Sequence, residues 1–158
     1  GDTFMFGDHV LVEVFHPEAG IEYYEGYPEG STQFINNLSL LLKLTYEDSS
    51  FLFTGDLYTN AEREIAAKYG ERLSSGVLKV PHHGAGTSSS KPFREAIGAE
   101  VAVMMSDAIE ELRIYRNYSK AGTKTFITSI DGAVLVSTTG DGDYTVLSQF
   151  DRVSNFLD

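Results

Sequence analysis

The chain has 158 residues, of which 42% are hydrophobic and 22% charged, a composition typical of one globular domain with a sizeable core. No apolar run approaches the roughly 18 residues of a membrane span, and the net charge of −11 argues against broad binding to a phosphate backbone. Because the chain contains no cysteine, any metal site must use histidine and carboxylate ligands.

The first predicted elements are two hairpins separated by a long loop. Hydrophobic alternation over residues 9–15 predicts a strand, with TFMF at 3–6 as its hairpin partner. Residues 16–36 contain two prolines and three glycines without a hydrophobic period, which predicts a loop. Residues 38–46 and 50–54 flank a turn at EDS and predict the second hairpin, apolar on both faces.

The second part of the chain alternates helices and strands. Residues 60–69 are predicted to be helical, with Thr59 and Glu62 forming a capping box and Gly70 ending the helix. The remaining predictions are a strand at 76–81, a helix between Ser90 as N-cap and Gly98, a strand at 100–106, a helix at 107–122, and strands at 123–129, 133–139 and 144–150 joined at IDG and GDGD.

This order, ββ-loop-ββα-βα-βα-βββ, determines the predicted fold class. Alternating strands and helices with apolar strands indicate an α/β protein, while the hairpins argue against a purely parallel, doubly wound sheet. We therefore expect an α/β fold with a mixed, partly antiparallel sheet (α+β mixed).

Two short segments combine residue types that carry chemistry. Asp56 follows Thr-Gly directly after an apolar strand, and His82 and His83 follow the apolar strand at 76–81. The carboxyl ends of such strands are where α/β folds place ligand sites. Taken alone, Asp56 also fits a turn or cap, and the adjacent histidines also fit a surface pair.

Other polar segments predict no site. His9 and His16 border a strand and have no evident role. The serines at 88–90 lack a G-x-S-x-G elbow and are interpreted as loop and N-cap. The sequence DGD at 141–143 lacks the further ligands of an EF-hand and is interpreted as a turn.

Together, the segments resemble a known family. NNLSLLLKL, FLFTGD, AEREI, VLKVPHHGAGTSSS and FREAIGAEVAVMMS, in this order, resemble the C-terminal half of metallo-β-lactamase-fold hydrolases. Within that family, the segments resemble the hydrolase domains of ComEC-type DNA-uptake proteins and their free-standing relatives. The resemblance implies a four-layer αββα sandwich that holds one or two metal ions, usually zinc, with manganese as the alternative.

The resemblance also implies roles for individual residues. Asp56 corresponds to the carboxylate that bridges two metals, and one of His82 and His83 to the last histidine ligand, with its neighbour lining the pocket. These three residues are the predicted metal-binding and catalytic residues. Asn37 and Ser39 are predicted, more weakly, to line the substrate pocket. The implied chemistry is metal-assisted hydrolysis of a phosphodiester or another ester.

The chain departs from the family in one large respect, because the His-x-His-x-Asp-His signature of the first half is absent. We therefore expect residues 1–158 to be a single partial domain, the C-terminal half of a metal-dependent hydrolase, inactive alone. Its substrate would be a small molecule or a phosphodiester. The alternative is a non-catalytic α/β binding module that has lost the metal site, for which the tyrosine-rich segment at 21–30 is a possible contact surface.

Three further points concern the kind of relative, the location and the assembly of the protein. The segment at 107–122 replaces the Asn…His-Pro segment of the uptake proteins, which favours a free-standing relative. No signal peptide is recognisable, and the bacterial cytoplasm and the exterior both remain open. A half-domain leaves an apolar sheet uncovered, which predicts a homo-oligomer.

Overall fold

A seven-stranded sheet forms the centre of the computed structural model, which describes residues 2–20, 27–109 and 111–152. Its strands are β1 (Thr3–Phe6), β2 (Val10–His16), β3 (Leu41–Tyr46), β4 (Ser49–Phe53), β5 (Val77–Lys79), β6 (Val101–Met104) and β7 (Lys124–Ile127). They lie side by side in chain order. Strands β1 to β4 pair antiparallel and β4 to β7 pair parallel, which confirms the predicted mixed α/β class.

Helices cover one face of this sheet. Leu52, Leu78 and Ala102 stand in register across β4, β5 and β6, and all three are fully buried. They share one hydrophobic core with the apolar side chains of three helices. The helices of the described chain are α1 (Thr32–Asn37), α2 (Thr59–Tyr69), α3 (Lys91–Ile97), α4 (Leu112–Ser119) and α5 (Thr128–Asp131), with 3-10 turns at Gly70–Leu73 and Pro81–Gly84.

The opposite face of the sheet is also apolar. A row of directly paired residues crosses six strands on that face: Phe4, Val12, Leu44, Phe51, Val77 and Val101. A separate antiparallel hairpin, β8 (Val134–Ser137) and β9 (Thr145–Ser148), covers part of it. A cavity of about 290 Å³ remains between them, lined mainly by apolar side chains that include Phe51, Phe53, Val103, Met105, Val134 and Val136.

Tyr144 fastens the turn of this hairpin to the main sheet. Its hydroxyl accepts a hydrogen bond from Ser50 N at 2.7 Å, and its ring packs edge-on against Phe51 with centroids 5.8 Å apart. A Cβ atom on Gly76 would lie 2.2 Å from the Tyr144 ring, so only glycine fits there. The hairpin is therefore held at one end by a specific contact.

Several local predictions are confirmed. Both predicted hairpins form, Gly70 and Gly98 follow the ends of α2 and α3, and Ser90 is the N-cap of α3. The segment at 140–143 is a turn in which an Asp141 carboxylate oxygen accepts a hydrogen bond from Asp143 N at 3.1 Å. Among the described residues no helix is long and apolar enough to cross a membrane.

Other local predictions are wrong. The helix predicted at 107–122 begins only at Leu112, and the loop predicted at 16–36 contains α1, although its residues 21–26 lie outside the described chain. The strands on either side of IDG do not form a hairpin, because α5 separates them and β8 belongs to the second sheet. The hairpin of β3 and β4 is not buried on both faces, since Phe53 is 41% exposed.

The predicted capping box at the start of α2 is also wrong. Tyr58 is the N-cap and makes no side-chain capping bond. Glu62 is fully buried, and its carboxylate instead accepts hydrogen bonds from Ser89 N and Ser90 N, each at 2.6 Å. A distant pair of N–H donors therefore replaces the local partner that the spacing suggested.

Candidate functional site

Asp56 and His83 meet at one edge of the main sheet. Strands β4 and β5 are parallel neighbours, so their carboxyl ends lie together, and the chain leaves them through the turns that carry these two residues. His83 Nε2 lies 3.5 Å from Asp56 Oδ1, with 47% of the histidine side chain and 35% of the aspartate side chain exposed. The structure therefore brings together two of the predicted site residues in a solvent-accessible position.

Both histidines occupy the left-handed region of backbone conformation. His82 has a φ of 47° and His83 a φ of 56°. This region is uncommon for residues other than glycine, and such strained residues cluster at functional sites. The backbone at these positions therefore turns sharply after Pro81, which aims the two imidazoles in different directions.

A hydrogen bond to a backbone carbonyl fixes the orientation of His83. Its Nδ1 lies 2.5 Å from Met105 O, and because a carbonyl only accepts, Nδ1 must carry the proton. In the neutral ring, Nε2 then has a free lone pair on the side of Asp56. Metal-binding histidines use this arrangement, in which one ring nitrogen donates to a carbonyl and the other faces the metal.

His82 has different neighbours. Its Nδ1 lies 2.9 Å from Thr87 Oγ1, and its ring centroid is 4.8 Å from that of Tyr58. The structure thus places His83 against Asp56, and His82 against an aromatic ring and a hydroxyl group. Which of the two histidines would bind a metal, and which would line a pocket, stays a prediction.

The turn that carries Asp56 rests on Ser39 and Asn37. Ser39 Oγ accepts a hydrogen bond from Asp56 N at 2.9 Å, and Asn37 Oδ1 accepts one from Tyr58 N at 3.2 Å. Gly55, with a φ of +53°, passes so close that a Cβ atom there would lie 2.5 Å from Ser39 Cβ. Both residues contact the backbone of the site; whether they also contact a substrate stays a prediction.

Lys79 is a neighbour of Asp56 that sequence reasoning missed. Its Nζ donates to Gly55 O at 2.7 Å and lies 3.4 Å from Asp56 Oδ1. Only 14% of this side chain is exposed, and burial lowers the pKa of its ammonium group. The sequence signal for Lys79 was its position as the single charged residue within the apolar VLKVP segment. The side to which its side chain points, however, depends on the register of β5.

His16 also has a structural role that was not expected. It is 2% exposed, and its Nε2 donates to Asn37 O at 2.7 Å. Burial lowers the pKa of this imidazole. The hydrogen bond to Asn37 O raises the pKa, but this effect is smaller than that of burial. His16 thereby connects the end of β2 to the segment that supports the Asp56 turn.

The described residues do not form a metal site by themselves. A zinc site in a protein ordinarily has about three or four protein ligands. Within residues 2–20, 27–109 and 111–152, no group of three or more histidine, aspartate or glutamate side chains is arranged to hold a metal ion. Asp56 and His83 fit a partial ligand set, and no catalytic step can be derived from them alone.

Comparison with known proteins gives two partial similarities, while no family model matches the chain. Over 102 residues, or 64% of this chain, it is 31% identical to the uncharacterized protein YcaI of Escherichia coli (strain K12). Over 71 residues, or 45% of the chain, it is 42% identical to the competence protein ComA of Neisseria gonorrhoeae. The matched segments are 14% and 10% of these relatives, so the chain corresponds to a small part of each.

Proposed function

We propose that the chain contributes the Asp56–His83 part of the active site of a metal-dependent hydrolase of the metallo-β-lactamase superfamily. The observation that supports this most directly is the orientation of His83, whose Nδ1 binds Met105 O while Nε2 faces Asp56 Oδ1 at 3.5 Å. The partial similarity to a competence protein agrees with the ComEC-like character of the motifs. In this proposal the apolar sheet and its hairpin belong to an αββα sandwich.

The chemistry of the two ligand atoms defines what they would bind. A carboxylate oxygen and a neutral imidazole suit zinc, with manganese as the alternative, and the bound metal would activate water for attack on a phosphodiester or another ester. Asp56 and His83 would bind the ion, and His82, beside Tyr58, would line the pocket. The remaining ligands would come from an H-x-H-x-D-H motif that this chain does not contain, so the isolated chain is expected to be inactive.

Zinc and manganese titration of the isolated chain tests this proposal. We expect weak metal binding and no turnover of bis(p-nitrophenyl) phosphate. Tight stoichiometric binding together with turnover would overturn the prediction of inactivity. A longer polypeptide with an H-x-H-x-D-H motif before this segment should turn over the substrate, and Asp56→Asn in that polypeptide should abolish turnover.

A non-catalytic binding module is the second candidate. The observation that favours it is the cation beside Asp56, since Lys79 Nζ lies 3.4 Å from Oδ1 and partly neutralises the charge that would attract a metal. If the longer polypeptide lacks the histidine motif and binds no metal, this second candidate is the correct one.

We also propose that a second copy of the chain covers the exposed part of the apolar sheet face. On and beside this face, Phe53 is 41% and Met105 54% exposed, and neither carries a charge that would repel a like surface. Exposed apolar patches of this kind usually mark association sites. Multi-angle light scattering should give twice the mass of one chain, and a monomer at high concentration would contradict the proposal.

A further inference from the structure

Ser89 is a strained residue that three side chains hold in place. It has a φ of +64° and is 3% exposed. Arg94 Nε donates to its carbonyl at 3.1 Å, and the Tyr118 hydroxyl donates to its Oγ at 3.1 Å. Its backbone N–H donates to Glu62 Oε1 at 2.6 Å. Strain of this kind persists only where the surroundings fix the backbone, as they do here.

Glu62 makes the shortest of these contacts. Its second carboxylate oxygen accepts from Ser90 N at 2.6 Å, so one buried carboxylate binds two successive N–H groups. A carboxylate has only acceptors and suits two donors, and bonds to a charged acceptor are stronger than neutral ones. Burial raises the pKa of this carboxyl group, an effect that the two N–H contacts oppose.

Glu62 also connects the two turns of the candidate site. It lies on α2, which starts shortly after Asp56 and is anchored there by Leu57, a fully buried residue. The partner of Glu62 is the segment that follows the two histidines. Two more bonds reinforce this link, from Thr59 N to Thr87 O at 2.9 Å and from Ser88 Oγ to Pro81 O at 2.9 Å.

We propose that Glu62 is a positioning residue that sets the place of His83 relative to Asp56 by holding the segment at 85–90 against α2. The inference rests on the proposed function only for its catalytic consequence, because the geometry it predicts can be measured without metal or substrate. In this arrangement Glu62 contacts neither His83 nor Asp56 and acts through the backbone of Ser89 and Ser90.

The test is the Glu62→Gln variant, with Glu64→Gln on the exposed side of the same helix as matched control. Glutamine keeps the shape but presents an NH₂ group to one of two N–H donors. Nitrogen-detected NMR of the His83 ring, at a pH where imidazole is neutral, reports its tautomer. We expect the wild type and Glu64→Gln to hold Nδ1–H, and Glu62→Gln to show a mixture of tautomers well below its melting temperature.

The tautomer separates positioning from stability. A folded Glu62→Gln variant with a lowered melting temperature but the wild-type His83 tautomer would overturn the proposal. Ser89→Gly, added to Glu62→Gln, removes the strain at φ +64° and should restore part of the Nδ1–H signal. If Glu62→Gln does not fold, Glu62→Asp decides instead: the shorter carboxylate cannot keep both N–H contacts, so it should shift the tautomer in the same direction, and an unchanged His83 would overturn the proposal.

These outcomes are independent of hydrolase activity. A chain that never hydrolyses an ester but shows the tautomer change refutes the proposed function and retains the role of Glu62. A longer polypeptide that hydrolyses the ester, but whose His83 tautomer does not change in Glu62→Gln, supports the proposed function and refutes the role of Glu62.

Discussion

His83 Nε2 and Asp56 Oδ1 lie 3.5 Å apart because β4 and β5 end side by side at the same edge of the sheet. Neither residue is held by its own element alone. The aspartate turn rests on Ser39, and the histidine ring is fixed by Met105 O at the end of β6. The pair is therefore a product of three neighbouring strands, and its geometry should respond to substitutions in each.

The first prediction concerns which histidine binds metal. Because His83 faces Asp56 and His82 faces Tyr58, His83→Ala should weaken zinc affinity about tenfold or more, and His82→Ala should have a smaller effect. Isothermal titration of each variant in the longer polypeptide that carries the H-x-H-x-D-H motif measures the change, with His9→Ala, at an exposed position, as control. A larger loss for His82→Ala than for His83→Ala would reverse the assignment.

The second prediction concerns the tight turn at Gly55. Gly55→Ala introduces a side chain at φ +53° and a contact of 2.5 Å with Ser39 Cβ, whereas Gly98→Ala, at φ +60°, meets no atom within 4 Å. The control should lose about 1 kcal/mol of unfolding free energy through backbone strain alone. Gly55→Ala should lose about 2–4 kcal/mol because overpacking adds to the strain. If urea unfolding gives the two variants equal losses of unfolding free energy, Ser39 moves away from the new methyl group at no cost and the prediction is wrong.

The order of the elements and the Asp56–His83 pair could be predicted from the sequence, whereas the partners of two other residues could not. Strand and helix order follows from hydrophobic period, and the closeness of Asp56 and His83 follows from the rule that parallel strand ends share an edge. The partners of Glu62 and Lys79 could not be predicted, because both depend on contacts between distant segments. Glu62 has the spacing of a local cap to Thr59, but the Ser89 and Ser90 N–H groups compete successfully for it.

The third prediction concerns acid stability through His16. Burial lowers the pKa of this imidazole below its ordinary value of 6.5, so the folded state binds a proton less readily than the unfolded state. Its contribution to stability is therefore fully present above about pH 6.5 and is lost as the pH falls through the folded pKa. Urea unfolding between pH 7.5 and pH 5 should show this decrease.

Variants at the two N-terminal histidines test the assignment to His16. His16→Gln should flatten the decrease in unfolding free energy between these pH values, whereas His9→Gln, at an exposed position, should keep it. An unchanged slope in His16→Gln would assign the acid sensitivity to other groups.

The fourth prediction concerns the apolar sheet face. Phe53 is 41% exposed on β4 and lines the cavity under the β8–β9 hairpin. Phe53→Lys should convert the expected dimer to a monomer, because an ammonium group in an apolar contact has no partner. Light scattering measures the mass, and Glu95→Gln, on the exposed side of α3, controls for the change in net charge because it removes one negative charge where Phe53→Lys adds one positive charge. A dimer that survives Phe53→Lys would place the interface elsewhere.

The fifth prediction concerns a buried ion pair near the end of the described chain. Asp131 is 1% exposed and receives two hydrogen bonds from Arg152, from Nε to Oδ1 at 2.7 Å and from Nη2 to Oδ2 at 2.6 Å. The same guanidinium donates to the Tyr115 hydroxyl at 2.7 Å and to Thr125 O at 2.8 Å. Arg152 thus joins the segment after β9 to α4, β7 and α5.

Removing the arginine should leave a buried carboxylate that retains only the bond from Ile127 N at 2.7 Å among the contacts described. Arg152→Met should therefore cost about 2–3 kcal/mol, somewhat below a fully buried pair because the arginine side chain is 22% exposed. Lys91→Met breaks an exposed pair with Glu95 and should cost less than about 0.5 kcal/mol. The double variant Arg152→Met/Asp131→Asn should be more stable than Arg152→Met, because it removes the unpaired charge. If Arg152→Met unfolds at the wild-type urea midpoint, the pair does not stabilise the fold.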